Sequence, residues 1–99
     1  MVFTFAAVKV KKTLKNLNVV ETKDAVFSLE LTHENVRGSQ WIKNGFEILP
    51  SDKYEISVVG TVHTLTIKNC NTQDESVYAF KLGKLSANAR LNVESKCLH

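Results

Sequence analysis

The sequence predicts an all-β fold in which two sheets pack face to face. Apolar and polar residues alternate along short segments such as 25–31 and 62–67, and a period of two is typical of strands with one buried face. Turn signals separate these segments, and no segment has the period of an amphipathic helix. Eight or nine short strands within 99 residues favour a sandwich over a barrel or an α/β fold.

The strands of the N-terminal half follow from the same alternation. The predicted segments are 3–12, 14–21, 25–31, 40–43 and 46–49. In the first strand the inward residues are expected to be Phe3, Phe5, Ala7 and Val10. In the second, Leu17 and Val19 share a face. Asn44-Gly45 joins the last two as a two-residue hairpin, because both residues tolerate the positive φ that such turns require.

The C-terminal half contains four further predicted strands. They span 54–58, 62–67, 77–82 and 87–93, with a polar loop at 33–39 and a turn at 69–75. The length predicts a single domain over residues 1–99, with a core at about 5–94. We expect the segment 16–21 to run parallel to the last strand.

Composition and charge exclude several classes of function. The net charge of +3 comes mostly from Lys9, Lys11, Lys12 and Lys15, a run that predicts a solvated strand edge, where lysine discourages unwanted pairing. No aromatic residues interleave with it, so we expect no nucleic-acid partner. No apolar stretch approaches twenty residues, and the opening residues do not have the pattern of a signal peptide, so we expect no membrane partner.

Three sequence features occur in the same order as in an immunoglobulin domain and resemble that fold. Trp41 lies on the strand that follows the loop at 33–39, and Leu65 lies on the apolar strand before the turn at 69–75. The run from Asp74 to Phe80 is similar to the tyrosine corner of that fold. The resemblance implies that the Tyr78 hydroxyl bonds back to the chain at this corner. It also implies a common buried core of Leu29, Trp41, Leu65, Tyr78 and Phe80.

The amino-acid sequences of three segments are similar to those of the intermediate-set (I-set) domains of the titin family. Residues 34–45 resemble that family's pattern of a polar loop followed by Val-x-Gly-x-x-Trp-x-Lys-Asn-Gly, and 52–56 and 63–70 also fit. The obscurin and myosin-binding protein C families are alternatives. The resemblance implies a Greek-key sandwich in a tandem array of the sarcomere, in the I-band of muscle, beside neighbouring immunoglobulin domains. The isolated domain is expected to be monomeric.

The sequence departs from the general immunoglobulin pattern at the inter-sheet disulfide. The positions that normally hold its cysteines fall at Leu29 and Phe80. A disulfide between residues 29 and 80 would close a loop of about fifty residues and stabilise the fold by roughly 4 kcal/mol in the chain-entropy model. Burying a Leu and a Phe at these positions instead contributes about 1.5–3 kcal/mol each. A core that does not depend on oxidation is typical of a reducing compartment, so the sequence predicts a cytoplasmic protein.

The residues that could carry chemistry favour a domain without catalytic, cofactor or metal sites. Cys70 is a candidate redox thiol, although a small buried hydrophobe is the favoured interpretation. His33 and His63 lack ligands at metal-binding spacing, and no nucleophile motif accompanies His63 and Cys70. Asp74 is expected to order the corner. Two hypotheses therefore remain: an elastic spacer in an array, or a module that recognises another protein through an exposed edge or loop.

Overall fold

Two sheets pack against each other in the structure, a computed structural model that describes residues 8–95. Their strands are β1 Val10–Lys12, β2 Leu17–Val20, β3 Ala25–Leu31, β4 Ser39–Lys43, β5 Phe46–Ile48, β6 Tyr54–Val59, β7 Val62–Ile67, β8 Ser76–Leu82 and β9 Leu85–Glu94. A single turn of 3₁₀ helix, Thr72–Asp74, precedes β8. No helix of the described part is long and apolar enough to cross a membrane.

The strand order assigns the first two strands to different sheets. One sheet has the order β1-β3-β7-β6 and the other β2-β9-β8-β4-β5. All neighbours are antiparallel except β2 and β9, which are parallel. This arrangement confirms the predicted sandwich and the predicted parallel pairing of the segment 16–21 with the last strand.

The core lies between the sheets and is built from the inward half of each alternating strand. On β3 the buried residues are Phe27, Leu29 and Leu31, with exposed Val26 and Ser28 between them. Side chains from both sheets, together with Leu14 and Cys70 from connecting segments, join these in one cluster. Each large apolar side chain buried in this way contributes about 1.5–3 kcal/mol to folding.

The hairpin between β4 and β5 forms at the predicted residues. Asn44 and Gly45 have φ values of 50° and 85°, and Lys43 pairs with Phe46 across the turn. Two consecutive positive φ values match the right-handed twist of the flanking strands, and asparagine and glycine adopt them at least cost.

Three strands start two or more residues away from the predicted first residue, and the other boundaries agree to within one residue. Of the expected first strand, 3–7 lies outside the described residues, including Phe3, Phe5 and Ala7, and β1 begins only at Val10. Among the described residues, the pairing before Val10 is irregular: the Lys9 N–H donates to the Thr32 hydroxyl, while the Lys9 carbonyl accepts from the Thr32 backbone N–H.

The second and last strands differ for similarly local reasons. The second strand starts at Leu17 and not at residue 14. Just before it, the Arg90 backbone N–H of β9 donates to the Asn16 side chain and not to a backbone carbonyl. The last strand starts earlier than predicted because Leu82 pairs with Leu85 across a two-residue turn.

Candidate functional site

The parallel pair of β2 and β9 forms one edge of the five-stranded sheet. Its register places Leu17 opposite Leu91 and Val19 opposite Val93. The two β9 residues are buried, and the two β2 residues are half-buried against the core. A further backbone bond of 2.8 Å joins Glu21 N–H to the Glu94 carbonyl. The edge strand is therefore held by packing on one face and by hydrogen bonds along its length.

The direction of the two strands determines how a pull on the chain reaches them. The chain enters β2 at Leu17 and leaves β9 at Glu94, and the strands run the same way. A force on the segments before β2 and after β9 therefore slides the two strands past each other. Several hydrogen bonds then carry the load at once, whereas an opening hairpin would break them one at a time.

The five expected core residues belong to one buried cluster between the two sheets. Leu29 and Leu65 come from one sheet, and Trp41, Tyr78 and Phe80 from the other; none is more than 3% exposed. The Trp41 and Phe80 rings meet edge to face at a centroid distance of 5.2 Å, a geometry favoured by aromatic quadrupoles. Leu29 and Phe80, where the resemblance would have placed cysteines, both belong to this cluster.

The tyrosine corner forms as the resemblance implied. The Tyr78 hydroxyl donates to the Asp74 carbonyl at 2.6 Å, and burial raises the pKa of this phenol well above its ordinary range. The corner is further ordered by the Asp74 carboxylate, which accepts from the Asn71 N–H at 2.8 Å. Because the tyrosine stays neutral, its hydroxyl remains a donor at any physiological pH.

A partly buried ion pair connects this corner to the segment that leads into β6 of the opposite sheet. Asp74 is only 4% exposed, and the Lys53 ammonium lies 2.7 Å from its carboxylate and 3.1 Å from the Asn69 carbonyl. Lys43 reaches the Gln73 carbonyl at 3.2 Å. These bonds fix the loop before β8 by partners that are distant in sequence.

Cys70 lies buried at the end of β7 with a free thiol. Its S–H is directed at the Ile67 carbonyl at 3.5 Å. Burial raises the pKa of the thiol, and the nearby Asp74 raises it further against the opposing effect of Lys53. A thiol in this state reacts slowly, because the thiolate is the nucleophile. The second cysteine, Cys97, lies outside the described residues.

The structure does not bring the histidines into a common site. His33 bonds through Nδ1 to the Thr32 hydroxyl at 2.7 Å, while His63 is buried against the Phe80 ring at a centroid distance of 5.0 Å. Within residues 8–95, no group of three His, Cys, Asp or Glu side chains could hold a metal ion.

The burial of His63 is a feature that the sequence analysis missed. Its Nε2 has no hydrogen-bond partner in the described part of the chain, and burial lowers the pKa of the imidazole below its ordinary value of 6.5. The signal was present, since His63 shares the parity of the buried Leu65 and Ile67 along β7.

Several known proteins resemble this chain. Myosin-binding protein C of the cardiac type from Gallus gallus is 39% identical over 72 residues, or 73% of the chain. The fast type from Homo sapiens is 38% identical over 86 residues, or 85% of the chain. The aligned segment corresponds to only 6% and 7% of the length of these relatives.

Domains of titin with solved structures also resemble this chain. Domain I10 from titin is 44% identical with a TM-score of 0.83, covering 88% of this chain and 98% of that domain. The I9-I11 tandem from titin is 43% identical with a TM-score of 0.85, covering 89% of this chain and 33% of the tandem. The immunoglobulin I-set family matches residues 8–93. The chain therefore belongs to the immunoglobulin I-set family.

Proposed function

We propose that this chain is a non-catalytic, elastic spacer and scaffold domain in a tandem array of a titin-like muscle protein. The observation that carries the proposal is the parallel pairing of β2 with β9, which a pull along the chain loads in shear. Each hydrogen bond contributes only about 0.5–1.5 kcal/mol net, but simultaneous loading raises the barrier to unfolding. For a stretched chain the unfolding rate is the relevant stability.

The extended length of the unfolded chain fits this role. At 3.3–3.6 Å per residue, 99 residues extend to roughly 330–360 Å at most. A domain that opens only above a threshold force therefore acts as a buffer against overstretch. The proposal places the domain in the cytoplasm, in the I-band of the sarcomere, with neighbouring immunoglobulin domains as its partners and neither nucleic acid nor membrane among them.

The same proposal treats residues 1–99 as one folded unit that is monomeric in isolation. A single family match over residues 8–93 supports the unit, and the resemblance to a domain of the I9-I11 tandem of titin supports the array. A catalytic or metal-binding role has no support in the site geometry, because Cys70 and Asp74 are buried and engaged in structural bonds.

Single-molecule pulling from the two termini tests the proposal. Val19→Pro removes a backbone donor from β2 and disturbs the strand, so we expect a lower unfolding force than for the wild type. The matched control is Val59→Pro, which likewise replaces a valine whose N–H faces its partner strand, in the edge strand β6 of the other sheet. If Val19→Pro folds at rest but unfolds at the wild-type force, the β2–β9 pair does not resist the load.

A second candidate function is protein recognition, in the manner of an obscurin- or myosin-binding-protein-C-like domain. Phe46 and Leu49 are 75% and 64% exposed and flank a groove that also includes Lys43 and Tyr54. Contiguous exposed apolar patches often mark binding sites, and these two side chains line the same groove. Titration with purified myosin, compared with a Phe46→Ser/Leu49→Ser variant, tests this candidate: equal binding by both proteins, or by neither, removes it.

A further inference from the structure

Three asparagine side chains connect β2 with β9 in addition to the backbone pairing. Asn16 Oδ1 accepts from the Arg90 backbone N–H at 2.8 Å. Asn92 Nδ2 donates to Asn18 Oδ1 at 2.9 Å. We refer to Asn16, Asn18 and Asn92 as the asparagine clasp.

The clasp makes two contacts between β2 and β9, and the strand register positions the one between Asn18 and Asn92. Asn18 and Asn92 are direct partners in the parallel ladder, so their side chains leave the same face of the sheet side by side. The amide of Asn92 is engaged at both ends, because its Oδ1 accepts from Arg90 Nε at 3.0 Å while its Nδ2 donates to Asn18. The charged donor makes this chain of bonds stronger than one between neutral groups.

The second contact, between Asn16 and the Arg90 backbone N–H, lengthens the pairing at the start of β2. The first residue of the ladder is Leu17, opposite Leu91. Just before it, the Asn16 side chain takes the place of a backbone carbonyl as the acceptor for the Arg90 N–H. The edge of the sheet therefore gains a bond across the two strands at the point where a pull from the N-terminal side first arrives.

We propose that the asparagine clasp contributes directly to the barrier against forced unfolding; this inference rests on the proposed mechanical function. Its bonds run across the strands, so sliding breaks them together with the backbone bonds. A slide by one residue, about 3.3 Å, takes a perpendicular bond of 2.9 Å to about 4.4 Å. That separation is well beyond the hydrogen-bonding range.

The experiment measures the lifetime of the full chain held at constant force between its termini. The variants are Asn18→Ala, Asn92→Ala and the double variant, and Asn18→Asp retains an acceptor for the Asn92 amide. The matched control is Asn88→Ala. Asn88 lies at an exposed position of β9, whereas Asn92 is half-buried, and it pairs with Ala79 on β8 and precedes the β2 ladder. Urea denaturation establishes that each variant is folded at rest.

We expect Asn18→Ala and Asn92→Ala each to shorten the lifetime roughly two- to tenfold, the range that corresponds to one net hydrogen bond. The double variant should be no worse than either single one, and Asn18→Asp and Asn88→Ala should resemble the wild type. Additive effects, or lifetimes equal to that of Asn88→Ala, overturn the inference. If Val19→Pro lowers the unfolding force while the clasp variants do not shorten the lifetime, the mechanical function stands and only the clasp is rejected.

Discussion

Replacing Phe80 by alanine probes the part of the core where a disulfide would otherwise be expected. The ring is fully buried, lies edge to face against Trp41 and His63, and has Ala87 as its neighbour on β9. The neighbours identified by ring contact and strand pairing are two rigid rings and a methyl group, none of which can extend into the vacated space. The substitution should therefore leave a cavity.

The expected loss is about 3–5 kcal/mol, the range for removing a buried phenylalanine side chain. The two aromatic contacts place Phe80→Ala in the upper part of that range, since such pairs add about 0.5–1.5 kcal/mol beyond burial. A domain of this size has roughly 5–15 kcal/mol in total. Each kcal/mol lowers the melting temperature by about 4–8 °C, so the transition should move down by about 15 °C or more.

Urea denaturation monitored by Trp41 fluorescence measures the change. The control is Val77→Ala on the same strand, whose side chain is 46% exposed on the outer face and should change the free energy of unfolding by less than about 1 kcal/mol. A Phe80→Ala loss no larger than that of the control would refute the argument that this cluster replaces the disulfide.

Three further predictions follow from the buried groups. A thiol reductant should leave the melting temperature unchanged, because Cys70 is a free thiol. Tyr78→Phe should cost about 1–3 kcal/mol in urea denaturation, because the Asp74 carbonyl loses its donor in a buried setting. The free energy of unfolding should fall as the pH drops below about 6.5, since His63 is buried neutral with a lowered pKa and the unfolded chain binds the proton more readily. A His63→Leu variant should lose that part of the pH dependence.

Each of these predictions has a contrary outcome. A drop of many degrees with reductant would show that Cys70 and Cys97 are linked. A Tyr78→Phe variant as stable as the wild type would mean that the corner bond contributes nothing net. Wild type and His63→Leu with the same pH profile between 5 and 8 would exclude the imidazole as the source.

The fold was predictable because alternation and turn chemistry are local. Asn44-Gly45 specifies its hairpin by the φ values that these residues tolerate, and the parity of Phe27, Leu29 and Leu31 specifies which face of β3 is buried. Strand ends were less predictable. They depend on whether the next hydrogen bond comes from backbone or side chain, as at Lys9 with Thr32, and that choice involves residues far along the chain.

The site was predictable only where one segment contains all of it. The corner from Asp74 to Tyr78 lies within five residues, so its motif could be identified. The Lys53–Asp74 ion pair and the Asn18–Asn92 bond join residues 21 and 74 positions apart, and only the folded register brings them together. His63 was missed for a different reason, because a polar residue on an inward position contradicts the pattern used to find the core.

By our proposal, β2 and β9 resist force because a pull between the termini loads them in shear, and a change of pulling geometry tests this without altering either strand. One arrangement pulls from the two termini. The other pulls between the C-terminus and a cysteine introduced at Lys23, just after β2, with Cys97→Ser so that the only other thiol is the buried Cys70. The second geometry separates the adjacent ends of the parallel strands and opens their bonds one at a time. We predict a clearly lower unfolding force in the second arrangement; equal forces in the two geometries would show that shear loading of β2 and β9 is not the source of the resistance.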